Sequence, residues 1–312
     1  MKLVFCGTPA FAVPTLKAVL GAGHEVALAV TQPDRPSGRG MQVVEPPVKV
    51  TAREAGIPVV QPEKIKNNLE FRAQLEAIQP NAIVVVAYGR IIPKWMLDLP
   101  RFGNLNLHAS LLPKYRGAAP IQWAVAMGER VTGVTTMLLA EGLDTGDVLL
   151  QRELEIGPDM TSEELFPLLA EMGAPLMVET LTGLEAGTIV PQKQDDSQAT
   201  LAPILTREDG RMDFGRDHAS VIYNRWRGFY PWPGAWTMLG GKKLTVHRMK
   251  LAEGTAGAEP GMVRVEHGRL MMACGGGSAI EILELQLEGK KRMTAADFLR
   301  GHALKSGMRL GM

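Results

Sequence analysis

The sequence predicts two folded parts: an α/β domain built on a parallel sheet and, after it, a small β-barrel domain. The chain opens with a strand, a glycine turn, a helix and a second strand, which is the βαβ unit of a parallel sheet. The run Ala82–Ala87 is apolar throughout, as expected of a central strand covered on both faces. Beyond residue 206, short alternating segments between glycine-rich turns indicate a small barrel. A chain of 312 residues is long enough for both parts.

In the first part, apolar runs predict strands, and apolar residues at helical spacing that end near glycine predict helices. The predicted strands and extended stretches lie at 2–7, 23–30, 57–60, 82–87, 104–113 and 133–139. The predicted helices lie at 15–21, 48–56, 69–78, 91–97, 117–126 and 161–184. The first turn lacks the Gly-x-Gly-x-x-Gly spacing, so the sequence does not support a dinucleotide site.

The second part follows a polar stretch, 192–200, that has no apolar period and that we interpret as part of a linker. We therefore expect domains at 1–190 and 207–312, joined by residues 191–206. The predicted strands of the second domain lie at 235–239, 243–249, 261–265, 270–274 and 279–285, and its helices at 217–226 and 294–300.

Composition points to a cytoplasmic globular protein. Hydrophobic residues make up 46% of the chain and charged residues 21%. No apolar run approaches the ~20 residues of a membrane span, and the first residues lack the layout of a signal peptide. Cys6 and Cys274 are expected to be buried apolar residues rather than a disulfide. The six scattered histidines give no metal-ligand spacing.

Charge is distributed unevenly along the chain. Residues 207–312 contain 17 Lys and Arg against 11 Asp and Glu, whereas residues 1–206 contain 17 against 22. A basic second domain fits a polyanionic partner, but chance variation among solvated lysines would give the same excess. The charge alone leaves both interpretations open.

The stretch 104–113 carries an informative polar pattern. Asn106, His108 and Ser110 alternate, so along an extended chain their side chains face the same side. This arrangement suits a site, although a strand with a polar solvent face has the same pattern.

Downstream, a tight loop leaves the strand predicted at 133–139. It holds Asp144 between Gly142 and Gly146. A carboxylate in this position is typical of a catalytic or ligand-binding acid. A hairpin turn with solvated Asp144 and Asp147 is the alternative.

Asn106, His108 and Asp144 have the chemistry of a transfer site. A histidine beside a carboxylate transfers protons or stays cationic near neutral pH, and an amide N–H donates to a developing oxyanion. The sequence has no Gly-x-Ser-x-Gly elbow, and Ser110 follows His108 too closely to form a usual Ser–His pair. We therefore expect one bound substrate to attack another directly.

The segment 31–42 is rich in proline, glycine and arginine and lacks an apolar period, which predicts a mobile loop. Arg35 and Arg39 could contact phosphates from this loop. An ordinary surface loop is the alternative.

Five segments resemble those of the methionyl-tRNA formyltransferases. They are Gly7–Pro14, Gln32–Gly40, Asn106–Pro113, Arg116–Ile121 and Leu143–Asp147. The resemblance covers nearly the whole chain, and the combination of segments is specific. Asn-x-His with a distant Asp alone marks only the wider superfamily of 10-formyltetrahydrofolate-dependent formyltransferases. The resemblance implies a Rossmann-like catalytic domain followed by an OB-like barrel that binds tRNA.

The resemblance also implies the reaction: 10-formyltetrahydrofolate and methionyl-tRNA give tetrahydrofolate and N-formylmethionyl-tRNA, which starts bacterial-type translation. Asn106, His108 and Asp144 would be catalytic. The methionine α-amine attacks the formyl carbon, Asn106 and protonated His108 stabilise the oxyanion, and Asp144 holds the imidazole and helps relay the amine proton. The residues expected at the folate site are Tyr88, Gly89, Ser110, Leu111, Leu112, Pro113, Leu139 and Gly142.

For the tRNA, the resemblance assigns the loop at 33–42 to its acceptor end, with Arg39 as the best candidate for a direct contact. Family members often carry lysines after Gly-Arg-Gly, whereas Met41 and Gln42 follow here, so the loop is less basic. The β domain would track the tRNA backbone. Because no oligomerisation signal stands out in the sequence, we expect the protein to be a monomer. The residues expected to bind tRNA are Arg35, Arg39, Lys242, Lys243, Arg248, Lys290, Lys291 and Arg292.

Three other functions are alternatives. An amino-sugar nucleotide formyltransferase would share both domains but should lack the loop at 33–40. A glycinamide ribonucleotide formyltransferase would typically end before the β domain. A non-catalytic RNA-binding protein would need none of Asn106, His108 and Asp144 in those positions.

Overall fold

The computed structural model of the protein describes residues 1–37, 42–253, 258–302 and 304–311. The chain divides into two compact units. The first comprises Met1–Pro120, Val131–Glu155 and Leu165–Pro203, and the second comprises Ile121–Arg130, Ile156–Glu164 and Ile204–Met312.

The first unit is organised around a seven-stranded sheet. The strands of this unit, some of them outside the large sheet, are β1 (Lys2–Gly7), β2 (Glu25–Val30), β3 (Arg35–Ser37), β4 (Gln42–Val44), β5 (Val59–Val60), β6 (Ala82–Val86), β7 (Asn104–His108), β8 (Arg116–Gly117), β9 (Val131–Leu138), β10 (Val148–Glu155) and β11 (Leu201–Ala202). The large sheet has the order β10-β9-β7-β6-β1-β2-β5, while β3 pairs with β4 and β8 with β11.

The parallel sheet predicted for the first domain is confirmed. The strands from β7 to β5 run parallel to one another. Strand β9 runs antiparallel to both β7 and β10, so the sheet is mixed at one end. The sequence does not predict β10, because this edge strand exposes polar residues on its open side and reads as a loop.

The helices are α1 (Val13–Gly21), α2 (Pro47–Glu54), α3 (Leu69–Ile78), α4 (Lys94–Leu97), α5 (Pro120–Ala126), α6 (Ser162–Ala186), α7 (Ala219–Gly228) and α8 (Ala295–Gly301). Helix α3 has the predicted bounds because both of its ends are capped. The side-chain oxygen of Asn68 accepts the N–H of Phe71, and Gln79 adopts a left-handed conformation that ends the helix.

Strand β7 is held between β6 and β9, which fixes the direction of its side chains. Leu105 and Leu107 are buried, at 0% and 3% exposure. A Cβ atom on Gly173 of α6 would overlap the side chain of Leu107, so α6 packs closely on this side of the strand. Asn106 and His108 therefore point to the opposite side, as the alternation predicts.

The segment predicted as a linker is partly built into the first unit, which extends to Pro203. Gln192 and Val148 exchange two backbone hydrogen bonds of 2.8 Å. Further along, β11 pairs in parallel with β8. The segment thus runs against the end of the β9–β10 connection before it enters the second unit.

The second unit contains an antiparallel sheet, as predicted. Its strands are β12 (Ala235–Leu239), β13 (Lys242–Ala252), β14 (Val263–Glu266), β15 (Arg269–Ala273), β16 (Ala279–Leu287) and β17 (Met293–Thr294). They follow the order β12-β13-β16-β15-β14, with β17 paired to β16. Among the described residues β12 and β14 do not pair with each other, so closure into a barrel stays a prediction.

Both cysteines are buried with free thiols, as predicted. Burial raises the pKa of the Cys6 thiol, and it raises the pKa of Cys274 to about 12. Within the described ranges, no helix is both long and apolar enough to cross a membrane. The same residues include no group of three or more His, Cys, Asp or Glu side chains placed to hold a metal ion.

Candidate active site

The structure brings His108 and Asp144 together. His108 is the last residue of β7 and is 5% exposed. Its Nδ1 lies 3.7 Å from Oδ2 of Asp144, and its Nε2 lies 2.9 Å from the carbonyl oxygen of Tyr115. A carbonyl oxygen only accepts hydrogen bonds, so Nε2 carries a proton in this contact. Nδ1 is therefore the nitrogen that faces the carboxylate.

Asp144 is held by several contacts on the loop between β9 and β10. The backbone N–H of Gly117 donates to Oδ2 at 2.8 Å, and Nε2 of Gln194 donates to the backbone carbonyl of Asp144 at 2.8 Å. The residue has a φ of 51°, in the left-handed region. Its side chain is 13% exposed, which favours a site over a solvated turn.

Asn106 lies on the same side of β7 as His108 and is partly exposed. Its amide forms no hydrogen bond with any residue that the structure describes. Asn104, two residues earlier, is buried and bonded to the fold through its nitrogen: its Nδ2 donates to the carbonyls of Met96 at 2.8 Å and Leu97 at 3.1 Å, while its Oδ1 has no hydrogen-bond partner among the described residues. One strand thus carries a structural amide and an uncommitted amide.

The turn at 110–113 is fixed by side chains from the neighbouring strands. Thr135 donates through its hydroxyl to the carbonyl of Ser110 at 2.6 Å and accepts the N–H of Leu112 at 3.2 Å. Gln151 donates to the carbonyl of Leu112 at 2.9 Å. Leu111 and Pro113 remain half-buried at the surface of this turn.

Ser110 has a structural role in the same turn. Its hydroxyl donates to the carbonyl of Lys114 at 2.7 Å, and the residue is completely buried. This geometry agrees with the interpretation that Ser110 is not a nucleophile paired with His108.

The other residues expected at the folate site are in different environments. The ring of Tyr88 is 2% exposed and belongs to a hydrophobic cluster, where burial raises the pKa of its hydroxyl. A ligand would therefore reach only its backbone. Gly89 and Gly142 are exposed, and Leu139 is half-buried and anchored through its N–H to the carbonyl of Asn104 at 2.8 Å.

The basic residues expected to bind tRNA fall into two groups. Arg35 is exposed on β3, whereas Arg39 lies outside the described residues. In the second unit, the N–H of Lys243 donates to a carboxylate oxygen of Glu288, and the N–H of Glu288 donates to the carbonyl of Lys243. These contacts place the start of β13 beside the end of β16. The second group lies on β13, with Lys242, Lys243 and Arg248, and in the connection between β16 and β17, with Lys290, Lys291 and Arg292.

Part of the positive charge in this second group is neutralised. Glu284 pairs with both Arg292 and Arg248, at 2.7 Å and 3.2 Å, and these guanidinium groups lower its pKa. The Lys243 ammonium lies 4.8 Å from the ring centroid of Trp236. The exposed ammonium groups of Lys290 and Lys291 form no ion pair with a residue in the described ranges.

Sequence patterns do not reveal all residues that shape the site. Arg116 lies within one of the motifs that carry the family resemblance, but nothing in the motif indicates its partners. Gln194 lies in the segment interpreted as linker, and its contact with Asp144 depends on tertiary structure alone. Thr135 reads as an ordinary β-branched strand residue, and no sequence signal distinguishes it.

Two family models match the chain. The model described as formyl transferase matches residues 1–181, and the model of the formyl transferase C-terminal domain matches residues 204–303. Together they cover the α/β part and most of the β part.

Solved structures similar in fold to the chain include the following two. The N-formyltransferase from Helicobacter canadensis, in complex with folinic acid and dTDP-3-aminofucose, gives a TM-score of 0.67 at 18% identity over 90% of this chain and 98% of that one. HypX from Aquifex aeolicus, in complex with tetrahydrofolic acid, gives 0.63 at 17% identity over 96% of this chain and 47% of that one.

Sequence relatives are much more similar. The methionyl-tRNA formyltransferase of Acidobacterium capsulatum is 80% identical over 311 residues, covering 100% of both chains. That of Koribacter versatilis is 60% identical, covering 100% of this chain and 99% of the relative. At such identity over the full length, the chain belongs to the methionyl-tRNA formyltransferase family.

Proposed function

We propose that the chain transfers the formyl group of 10-formyltetrahydrofolate to the α-amine of methionyl-tRNA. The products are N-formylmethionyl-tRNA, which serves translation initiation, and tetrahydrofolate. The observation that carries this proposal is the pairing of His108 with Asp144 beside the uncommitted amide of Asn106. The names of full-length relatives at 80% and 60% identity support the same reaction.

The amide of Asn106 stabilises the first intermediate. The lone pair of the α-amine attacks the formyl carbon, a C–N bond forms, and the carbonyl oxygen becomes an oxyanion. An N–H of Asn106 donates to that oxyanion without first breaking a hydrogen bond to a described residue. When the oxyanion collapses, the bond from the formyl carbon to the folate nitrogen breaks, and that nitrogen takes up a proton.

His108 supplies a second donor. Its Nε2 is occupied by Tyr115, so Nδ1 is the nitrogen left for the substrate. The 3.7 Å between Nδ1 and Asp144 exceeds hydrogen-bond range, so a proton on Nδ1 remains open to the oxyanion. Asp144 stabilises the charged ring and relays the proton lost by the amine, directly or through one water.

We infer that the folate donor binds against the turn at 110–113. Hydrogen bonds from Thr135 and Gln151 hold this turn rigidly, as a preorganised binding wall requires. Leu139, Gly142 and the backbone at 88–89 would complete the folate site.

For the tRNA, the proposal uses both groups of basic residues. Arg35 and Arg39 would contact the acceptor end of the tRNA. The second group of basic residues, on β13 and between β16 and β17, would contact its phosphates. Lys242, Lys290 and Lys291 are the best candidates there, because all three are exposed and none is paired with a described carboxylate. Arg248 and Arg292 are weaker candidates, because both form ion pairs with Glu284, which partly neutralises their charge.

The organisation that goes with this function is a catalytic domain at 1–190, a linker at 191–206 and a tRNA-binding domain at 207–312. The second family model, which begins at residue 204, supports that order. We propose that the protein works as a monomer in the cytoplasm.

The test is formyl transfer by the purified chain. Charged initiator methionyl-tRNA is the substrate, and uncharged tRNA and an amino-sugar nucleotide are the controls. We expect formylation of methionyl-tRNA alone. Transfer to the amino-sugar nucleotide instead, or no transfer at all from 10-formyltetrahydrofolate, would contradict the proposal.

A further inference from the structure

The backbone of the Asp144 loop is fastened by the side chain of Gln194. The Nε2 of Gln194 donates to the carbonyl of Asp144 at 2.8 Å and to the carbonyl of Gly146 at 2.7 Å. The side-chain amide of Gln194 therefore forms hydrogen bonds with the backbone carbonyls on both sides of Thr145. The loop has no other described side-chain donor to these two carbonyls.

Arg116 fixes the orientation of that amide. Its Nε and Nη2 donate to Oε1 of Gln194 at 3.0 Å and 2.8 Å, so the amide nitrogen must face the loop carbonyls. The Arg116 side chain is only 8% exposed. The Nη2 of Arg116 also forms an ion pair with the carboxylate of Asp196 at 2.7 Å, which balances the positive charge of the guanidinium group.

The backbone on either side of Arg116 touches the catalytic pair directly. The carbonyl of Tyr115 accepts from Nε2 of His108, and the N–H of Gly117 donates to Oδ2 of Asp144. Segment 115–117 and Gln194 thus enclose the pair: the segment contacts both side chains, and Gln194 contacts the Asp144 backbone.

This enclosure explains how Asp144 keeps an unfavourable backbone conformation. A φ of 51° is a sparsely populated conformation for a non-glycine residue, and it persists where surrounding contacts over-determine it. The bonds from Gln194 act on the peptide groups of the loop, and the bond from Gly117 acts on the carboxylate. Without Gln194, the loop would be free to relax, and the carboxylate would turn from Nδ1 of His108.

We propose that Gln194, oriented by Arg116, is a positioning residue that sets the direction of the Asp144 carboxylate toward His108. The inference rests on the proposed function, because it gives Asp144 a role in formyl transfer. Gln194, a residue of the predicted linker segment, would thus position a catalytic group. Gln194 itself does not touch the substrate.

The discriminating variant is Gln194→Glu. It keeps the shape of the side chain and the contact with Arg116, but it replaces the N–H donor with an oxygen that repels both loop carbonyls. Gln192→Glu is the matched control, because it introduces the same charge two residues away on an exposed side chain, and Gln192 bonds to Val148 through its backbone only. Gln194→Leu serves as a second variant, with no new charge, should Gln194→Glu fail to fold.

For Gln194→Glu we expect kcat for formyl transfer to methionyl-tRNA to fall about 10- to 100-fold. The KM for each substrate and the melting temperature should stay close to those of the wild type, and Gln192→Glu should match the wild type throughout. A loss expressed in KM, or an equal loss in Gln192→Glu, would overturn the proposal.

A double-mutant cycle shows whether Gln194 acts through Asp144. In the Asp144→Asn background, measured in single turnover with enzyme in excess, Gln194→Glu should change the rate less than twofold. A full further loss in that background would show an independent effect and refute the positioning role. Failure of the proposed function looks different, because the wild type itself would then not formylate methionyl-tRNA.

Discussion

The Nδ1 atom of His108 lies 3.7 Å from Oδ2 of Asp144, close enough for the two groups to attract as charges and too far for them to share a hydrogen bond. The other ring nitrogen is already bonded to Tyr115. The ring is therefore anchored on one side, and on the other it has room to donate to a third group. This relationship leads to the first prediction.

Asp144→Asn and His108→Ala should each lower kcat by about 10²- to 10⁴-fold, because each removes part of the proton-transfer system. Binding of 10-formyltetrahydrofolate, measured by calorimetry, should largely survive. Asp147→Asn, which changes a carboxylate in the same loop, is the control and should keep near wild-type turnover. Near wild-type rates in either site variant would refute the assigned roles.

Asn106→Ala should lower activity and Asn104→Ala should lower stability, although the two residues lie only two positions apart on β7. Loss of the uncommitted Asn106 amide should lower kcat about 10²- to 10³-fold at unchanged stability. Loss of the buried Asn104 amide, which bonds to Met96 and Leu97, should instead cost about 1–3 kcal/mol of unfolding free energy. Kinetics and urea unfolding of both variants check this; the reverse pattern would mean that the two roles are exchanged.

Replacing Lys290 and Lys291 by Ala should weaken tRNA binding in a salt-dependent way. If both ammonium groups contact phosphates, the slope of log K against log salt should decrease by roughly 1.4–1.8. Arg248→Ala should change the slope less, because Arg248 is paired with Glu284. Titrations of tRNA at several salt concentrations give the slopes, and an unaltered slope in the double variant would exclude these lysines from the interface.

Arg39→Ala should reduce kcat/KM for methionyl-tRNA about tenfold, the effect of losing one charged hydrogen bond. Lys17→Ala, an exposed cation on α1, is the control. Steady-state kinetics at several salt concentrations measure the effect. If KM and kcat for tRNA both stay unchanged in Arg39→Ala, the assignment of this arginine is wrong.

Glu281 should make stability depend on pH in the acid range. Arg269, and to a lesser extent Lys250, lower the pKa of this buried carboxyl below its ordinary value of 4.5. Its contribution is therefore complete above pH 4.5 and is lost as the pH falls through the lowered value. Glu281→Gln should cost about 1–2 kcal/mol at pH 7, and the difference from the wild type should shrink toward zero in acid.

Urea unfolding between pH 7 and pH 3 measures this difference. Glu266→Gln in β14 is the matched control, because Glu266 pairs with Arg264 on an exposed surface, where such pairs contribute less than about 1 kcal/mol. A difference for Glu281→Gln that does not change with pH would contradict the assignment.

Sequence patterns predict the parts of the fold that local interactions determine. Helix α3 is predicted with its observed bounds because Asn68 and Gln79 cap it locally. Strand β10 is missed, because its pairing with β9 is a tertiary contact and its exposed residues are polar. The site shows the same division: alternation along β7 predicts the direction of Asn106 and His108, whereas only the folded chain brings Gln194 to Asp144.

Both native thiols are inaccessible: Cys6 and Cys274 are at most 1% exposed, and burial raises the pKa of each. The sequence contains no other cysteine. Thiol-directed dyes therefore find no reactive partner on the folded protein, since the thiolate is the reacting species. A single cysteine introduced at an exposed position would take up one label without prior removal of the native residues, which provides a fluorescent reporter of tRNA docking in the otherwise unaltered enzyme.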